Sequence, residues 1–199
     1  MMTGFGFPVV MAAAYLAGSI PFGLLFTRLA GKGDIRAIGS GNIGATNVLR
    51  TGSKPLALLT LIFDGGKGAA VVLLATVFTA DPLLIGLAGL FAVIGHCFPV
   101  WLGFQGGKGV ATCVATFAAF DPRLGLVFAL LWLGTAAITR YSSLSALVAT
   151  LGCSIGAVIL ELPVPVILAV MAMSALSWMR HHANIGRLLS GTESRIGQK

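Results

Sequence analysis

Apolar runs broken only by short polar turns fill most of this 199-residue chain, and that pattern leaves few ways for it to fold. A membrane-crossing helix needs about 20 mostly apolar residues, and every backbone amide inside it must find a partner within the protein. Runs at 4–28, 68–80, 83–102, 110–120, 124–139, 144–160 and 163–179 meet or approach that length. Only 10% of the residues are charged and 57% are hydrophobic, whereas soluble domains carry roughly 25% charged residues. The expected fold is an all-α membrane protein of about seven transmembrane helices, some of them short, forming a single domain over 1–199. The stretch Pro55–Phe63 is apolar but too short to span, and it reads as an interfacial or re-entrant helix leading to Asp64.

Charge fixes the expected orientation. With an outside N-terminus and alternating turns, Arg28, Lys32, Arg36, Arg50, Lys54, Lys67, Lys108, Arg140, Arg180, Arg187, Arg195 and Lys199 share one side. Only Arg123, of 13 basic residues, falls on the other. An excess of Lys and Arg marks the cytoplasmic face, so the polar loops and any site they build are expected there. Met1 to Gly6 carries no basic residue, so the first segment reads as a retained span rather than a secretory signal. The net charge of +7 serves topology and anionic lipid, and a chain without a soluble platform is no nucleic-acid binder. Cys97, Cys113 and Cys153 lie in or beside apolar runs with no C-x-x-C, which makes them packing residues. Apart from adjacent His181 and His182, no acids or histidines have metal-ligand spacing, and neither metal nor cofactor is expected.

Glycine, at 27 residues, divides between the apolar runs, where it permits close helix approach, and the polar loops. Gly39, Ser40, Gly41, Asn42, Thr46 and Asn47 lead into Arg50. Such a run reads either as a nest of backbone amides that binds an anion, reinforced by a helix start near Thr46, or as a turn capped by Ser40 and Asn42. Two loops share a core, Asp64-Gly-Gly-Lys67-Gly and Gln105-Gly106-Gly107-Lys108-Gly109. Lysine among exposed amides is a phosphate clamp, although Lys67 has Asp64 three residues earlier as an ion-pair partner. Arg140 reads as an anion contact or a topology anchor, with Ser142 and Ser143 as caps of the following helix. In the last segment His181 and Asn184 share a helical face, Arg187 follows a turn later, and Glu193 is the acid available to hold the segment down. His96, alone in an apolar helix, reads as structural, since no acid stands five residues beyond it.

Taken together, Gly18 to Gly23, Gly39 to Arg50, Asp64 to Gly68, Gly95 to Pro99, Gly106 to Thr112, Arg140 to Ser143 and His181 to Glu193 closely resemble the bacterial acyl-phosphate:glycerol-3-phosphate acyltransferase family (PlsY), in the family's order and over nearly the whole chain. One departure is visible: His182 and Ala183 stand before Asn184, where family members often carry charged residues. The resemblance implies a seven-helix membrane fold in the bacterial inner membrane. It also implies acyl transfer from acyl phosphate to the 1-hydroxyl of glycerol 3-phosphate, giving lysophosphatidic acid and phosphate. Ser40 and Arg50 fall in the family's first motif, Lys108 and its glycines in the second, and His181, Asn184 and Glu193 in the third. The expected catalytic set is Ser40, Arg50, Lys108, His181 and Asn184. Gly39, Gly41, Asn42, Thr46, Asn47, Lys67, Gly106, Gly107, Gly109, Arg140 and Ser143 bind substrate or phosphate, and Glu193 supports them. Membrane lipid surrounds the protein, and docking of an acyl-phosphate synthase is compatible with the resemblance but specified by no residue. Glycine-rich breaks in membrane helices also fit a transporter of phosphorylated metabolites or anions, which is the competing expectation.

Overall fold

The structure, a computed structural model, describes residues 6–198, so Lys199 and the first residues of the run at 4–28 lie outside it. The regular elements of the described residues are helices: α1 (Gly6–Gly18), α2 (Phe22–Leu29), α3 (Ala45–Val48), α4 (Lys54–Phe78), α5 (Pro82–Cys97), α6 (Val110–Phe120), α7 (Pro122–Thr139), α8 (Ser142–Ile159), α9 (Val164–Arg180) and α10 (His182–Leu189). Among the described residues, five stretches are long and apolar enough to cross a membrane: Phe7–Leu29, Lys54–Phe78, Pro82–Leu102, Pro122–Thr139 and Ser142–Ile159. The pair α9 and α10, bent by 61°, makes a sixth. The 11-residue α6 is only about 16 Å long, too short to cross alone.

The turns Asp81-Pro82 and Asp121-Pro122 start helices as well as ending them. Each Asp caps the next helix by accepting an amide two residues on, and each Pro occupies the first turn, where its missing N–H costs nothing. The helices then pack as neighbours: α1 on α5, α4 on α5 and α6, α7 on α8, α9 on α5 and α8. All three cysteines lie in the largest buried cluster, with Phe117, Leu124, Val170 and Met173, and all three are free.

One expectation fails instructively. Pro55–Phe63 and the run at 68–80 are not separate segments around a polar loop. They are one 25-residue helix, α4, capped by Ser53 and continuous through Asp64-Gly-Gly-Lys67-Gly. The helix persists because its polar residues satisfy each other on a buried face. Lys67 Nζ donates to Asp64 Oδ1 at 2.8 Å and to the Ile20 carbonyl at 2.7 Å, where the chain breaks between α1 and α2. The Asp64 carbonyl receives Thr112 Oγ1 of α6. Gly68 is needed for that packing, since a Cβ there would meet Thr112 and Thr116.

Both side chains of the Asp64–Lys67 pair are under 5% exposed, so losing one partner strands a buried charge. Asp64→Asn is therefore expected to destabilise the protein by about 3–5 kcal/mol, and Asp64→Leu with Lys67→Met to recover most of that loss. Unfolding in detergent, followed by thermal midpoint, checks both; equal losses for the single and double variants would contradict the pairing argument.

Candidate functional site

The polar loops converge at one end of the helical bundle, and Glu193 ties them together. Ser143 Oγ donates to its Oε1 at 2.7 Å, Asn184 Nδ2 donates to the same oxygen at 2.6 Å, and Arg187 Nε donates to Oε2 at 2.6 Å. Burial alone would raise this carboxyl. The three donors outweigh that and hold it below the ordinary carboxylate range. The clamp is accordingly in place at neutral pH and is lost only as pH falls through that depressed value.

Asn184, its amide nitrogen on Glu193, turns its oxygen to Lys108 Nζ. Lys108 leaves the buried loop Gly106–Gly107 and precedes Gly109, whose φ of +82° a glycine adopts without strain. Burial brings the Lys108 ammonium down to about 8; Glu193 opposes the shift, and Arg187, Arg50 and Arg180 add to it. His181 sits at the bend between α9 and α10, buried, with Nδ1 2.7 Å from the Ser177 carbonyl. A carbonyl only accepts, so that contact assigns the proton to Nδ1 and leaves Nε2 as an acceptor.

The first loop closes the other side. Asn47 is buried and organises it: Oδ1 accepts the Ser40 amide, and Nδ2 reaches the carbonyls of Ile35, Ile38 and Asn42. Asn42 Oδ1 takes the Gly44 amide. Gly39, with φ +56°, lies under the Arg50 side chain, which leaves no room for a Cβ. Arg50 Nη2 then donates to Ser194 Oγ at 3.1 Å, next to Glu193. The tail continues across α7 and α8, where Ile196 exchanges hydrogen bonds with Arg140 and the Arg195 guanidinium stacks on Tyr141.

The expected residues thus divide. Lys108, Ser143, Asn184 and Glu193 lie along one connected polar network, which Arg50 joins at Ser194, beside Glu193. Gly106, Gly107 and Gly109 flank Lys108, and Ser40 sits with Gly39, Gly41 and Asn42 in the first loop. The side chain of His181 bonds to the Ser177 carbonyl rather than into the network. Asn47 serves that network from behind, with its amide committed to the loop. Thr46 is exposed on α3, a four-residue helix too short to supply the expected dipole. Ser143 does not cap α8; its hydroxyl goes to Glu193, and Tyr141 occupies the cap position. Arg140 holds the tail. Lys67 stands apart in α4, although Asp64 links it to His96, with Nδ1 3.7 Å from the carboxylate, and a Cβ on Gly107 would collide with that imidazole. Sequence reasoning passed over Arg180, which donates to the carbonyls of Gly107 and Gly106. Its signal was the spacing of Arg180, Asn184 and Arg187, one helical face carried across a bend.

A family description, glycerol-3-phosphate acyltransferase, matches residues 8–191. The chain is 57% identical to the glycerol-3-phosphate acyltransferase of Allorhizobium ampelinum, covering 95% of this chain and 91% of the relative. It is 54% identical to that of Agrobacterium fabrum, covering 96% and 95%. Among solved structures it is similar to the crystal structure of PlsY (YgiH), an integral membrane glycerol 3-phosphate acyltransferase, in its glycerol 3-phosphate form, with TM-score 0.92, 39% identity and 96% of both chains covered. The lysophosphatidic acid form of the same enzyme gives 0.90 over the same share.

Replacing Glu193 by Ala removes three hydrogen bonds to one charged group, each of a kind worth about 1.5–3 kcal/mol. The expected result is a lower thermal midpoint and at least about ten-fold faster hydrogen exchange at the Ile196 amide. Unchanged exchange there would mean that Arg140 alone secures the tail.

Proposed function

We propose a donor and a mechanism for this chain, which belongs to the glycerol-3-phosphate acyltransferase family and is a multi-pass membrane enzyme making lysophosphatidic acid. The donor is acyl phosphate, the acceptor is the 1-hydroxyl of sn-glycerol 3-phosphate, and the second product is inorganic phosphate. The chain works as one domain in the bacterial inner membrane, with its site on the cytoplasmic face. The observation that carries this reading is a charge surplus: Arg50, Arg180 and Arg187 gather near Lys108, with the Glu193 carboxylate the acid among them. A cluster left with excess positive charge suits phosphate; the amides of Gly41, Gly106 and Gly107, expected to bind it, are instead taken by the carbonyls of Ile38, Cys97 and His96. Both substrates of this reaction carry phosphate. A transporter needs a polar route past the midplane, and this network sits at one end of the bundle.

Apart from that network, α2 and α4 form an apolar groove of about 310 Å³ lined by Phe22, Ile62, Phe63, Gly66, Lys67 and Ala70, a surface that suits lipid chains.

Acyl phosphate is an activated mixed anhydride, so orientation and charge stabilisation meet most of the catalytic demand. The glycerol hydroxyl attacks the acyl carbonyl directly, the bond to phosphate breaks, and phosphate leaves with the electron pair. Arg50 and Lys108 hold phosphate and offset the developing charge. Ser40, Ser143 and Asn184 position the substrates. His181 Nε2 accepts a hydrogen bond from glycerol 3-phosphate, and a phosphate oxygen of a substrate takes the hydroxyl proton. Ser40 Oγ has neither histidine nor carboxylate bonded to it among the described residues, which favours direct attack over an acyl-enzyme on Ser40.

Purified protein given palmitoyl phosphate and glycerol 3-phosphate should release phosphate only when both are present, and acyl-CoA should be inert. Turnover with acyl-CoA, or a trapped ester on Ser40, would contradict the proposal. The pH profile adds a second check. Lys108 must be protonated to hold phosphate, and its value is about 8. In the free enzyme kcat/KM should fall as pH rises through that value, and Lys108→Arg should move the alkaline limb upward. A limb that stays in place in the arginine variant would remove Lys108 from that role.

A further inference from the structure

We propose that Arg180 is a positioning residue for this reaction: from behind the site it grips two consecutive carbonyls and thereby aims the Lys108 segment at phosphate. The inference rests on the phosphate-binding role of Lys108 given above.

Arg180 ends α9. Its Nε donates to the Gly107 carbonyl at 3.0 Å and its Nη2 to the Gly106 carbonyl at 2.9 Å. The planar guanidinium presents these donors as a fixed fork, which a lysine does not have. Its carbon lies 5.2 Å from the centroid of the Phe98 ring, and that stacking limits how the fork can turn.

The other side of the same loop is held by the end of α5. The Gly106 amide donates to the Cys97 carbonyl at 3.1 Å, and the Gly107 amide to the His96 carbonyl at 3.0 Å. The His96 imidazole fills the space that a side chain on residue 107 would need. Two glycines, with no side chains of their own to anchor them, are thus fixed by amides on one helix and by carbonyls on another.

The consequence for Lys108 is geometric. A trans peptide points its C=O and N–H in opposite directions. Gly107 turns its carbonyl to Arg180, so the Lys108 amide must face away from Arg180. Carbonyl oxygens left pointing into a phosphate site would repel the anion. Arg180 draws two of them out of it and offsets their partial charge. The residue is therefore not a spare phosphate ligand, because the two donors described are spent on backbone. Nor is it only a topology anchor, since an anchor requires charge but no fork.

The test uses the full-length protein in detergent. Arg180→Lys keeps the charge and loses the fork. It should raise KM for glycerol 3-phosphate by about ten-fold or more and lower kcat less, with little change in thermal midpoint. Phe98→Leu leaves the fork but frees it, and should shift KM in the same direction by a smaller factor. Calorimetric Kd values for glycerol 3-phosphate, which need no turnover, then complete a cycle of Arg180→Gln, Lys108→Gln and the double variant. If Arg180 acts through Lys108, its substitution changes Kd less than about two-fold once Lys108 is gone. Full KM in Arg180→Lys, losses that multiply in the double variant, or unfolding in place of weakened binding would each overturn the proposal. Failure of the palmitoyl phosphate assay with binding and cycle as expected would count against the donor and leave the positioning role standing.

Discussion

The site depends on one carboxylate. Four cationic side chains gathered at the end of a helical bundle repel one another, and Glu193 supplies the single charge that lets them converge. It also does mechanical work on the chain. Through Ser143 it reaches α8, through Asn184 and Arg187 it reaches α10, and through its neighbour Ser194 it meets Arg50 of the first loop. Segments more than 140 residues apart in sequence are thereby brought to one place. Because one acid does not neutralise four bases, the cluster keeps a positive surplus, which is the basis of the phosphate-binding role proposed for it.

The second polar centre is of a different kind. Asp64 and Lys67 lie under helices, with His96 beside them, and their charges balance locally. That pair stabilises the break between α1 and α2 through the Ile20 carbonyl, and it reaches the Lys108 loop through His96 and Gly107. The contrast explains why similar Gly-Gly-Lys-Gly cores have different fates. In α4 an acid three residues earlier captures the lysine and the helix runs on. Before α6, Gln105 offers no charge, so Lys108 extends to Asn184 instead.

Much of this was legible in the sequence. Apolar runs gave the membrane fold, and the motifs picked out Arg50, Lys108, Asn184 and Glu193, which the structure brings to one end of the bundle. What escaped depended on contacts that no local pattern encodes. The glycines around Asp64 and Lys67 read as a loop until α6 is seen packed against Gly65 and Gly68, whose missing side chains make room for it. Arg180 reads as an ordinary basic residue at a helix end, because its partners are backbone carbonyls 73 and 74 residues away. Ser143 reads as a cap because serines at helix starts usually are, whereas here a carboxylate 50 residues on takes its hydroxyl.

The most direct test of a phosphate site built from surplus cations is equilibrium binding without chemistry. Glycerol 3-phosphate is titrated into the detergent-solubilised protein, with glycerol and inorganic phosphate as competitors. The account predicts that inorganic phosphate displaces glycerol 3-phosphate competitively, that glycerol does not, and that Arg50→Gln weakens both anions together. Binding that glycerol competes and phosphate leaves untouched, or affinity unchanged in Arg50→Gln, would contradict it.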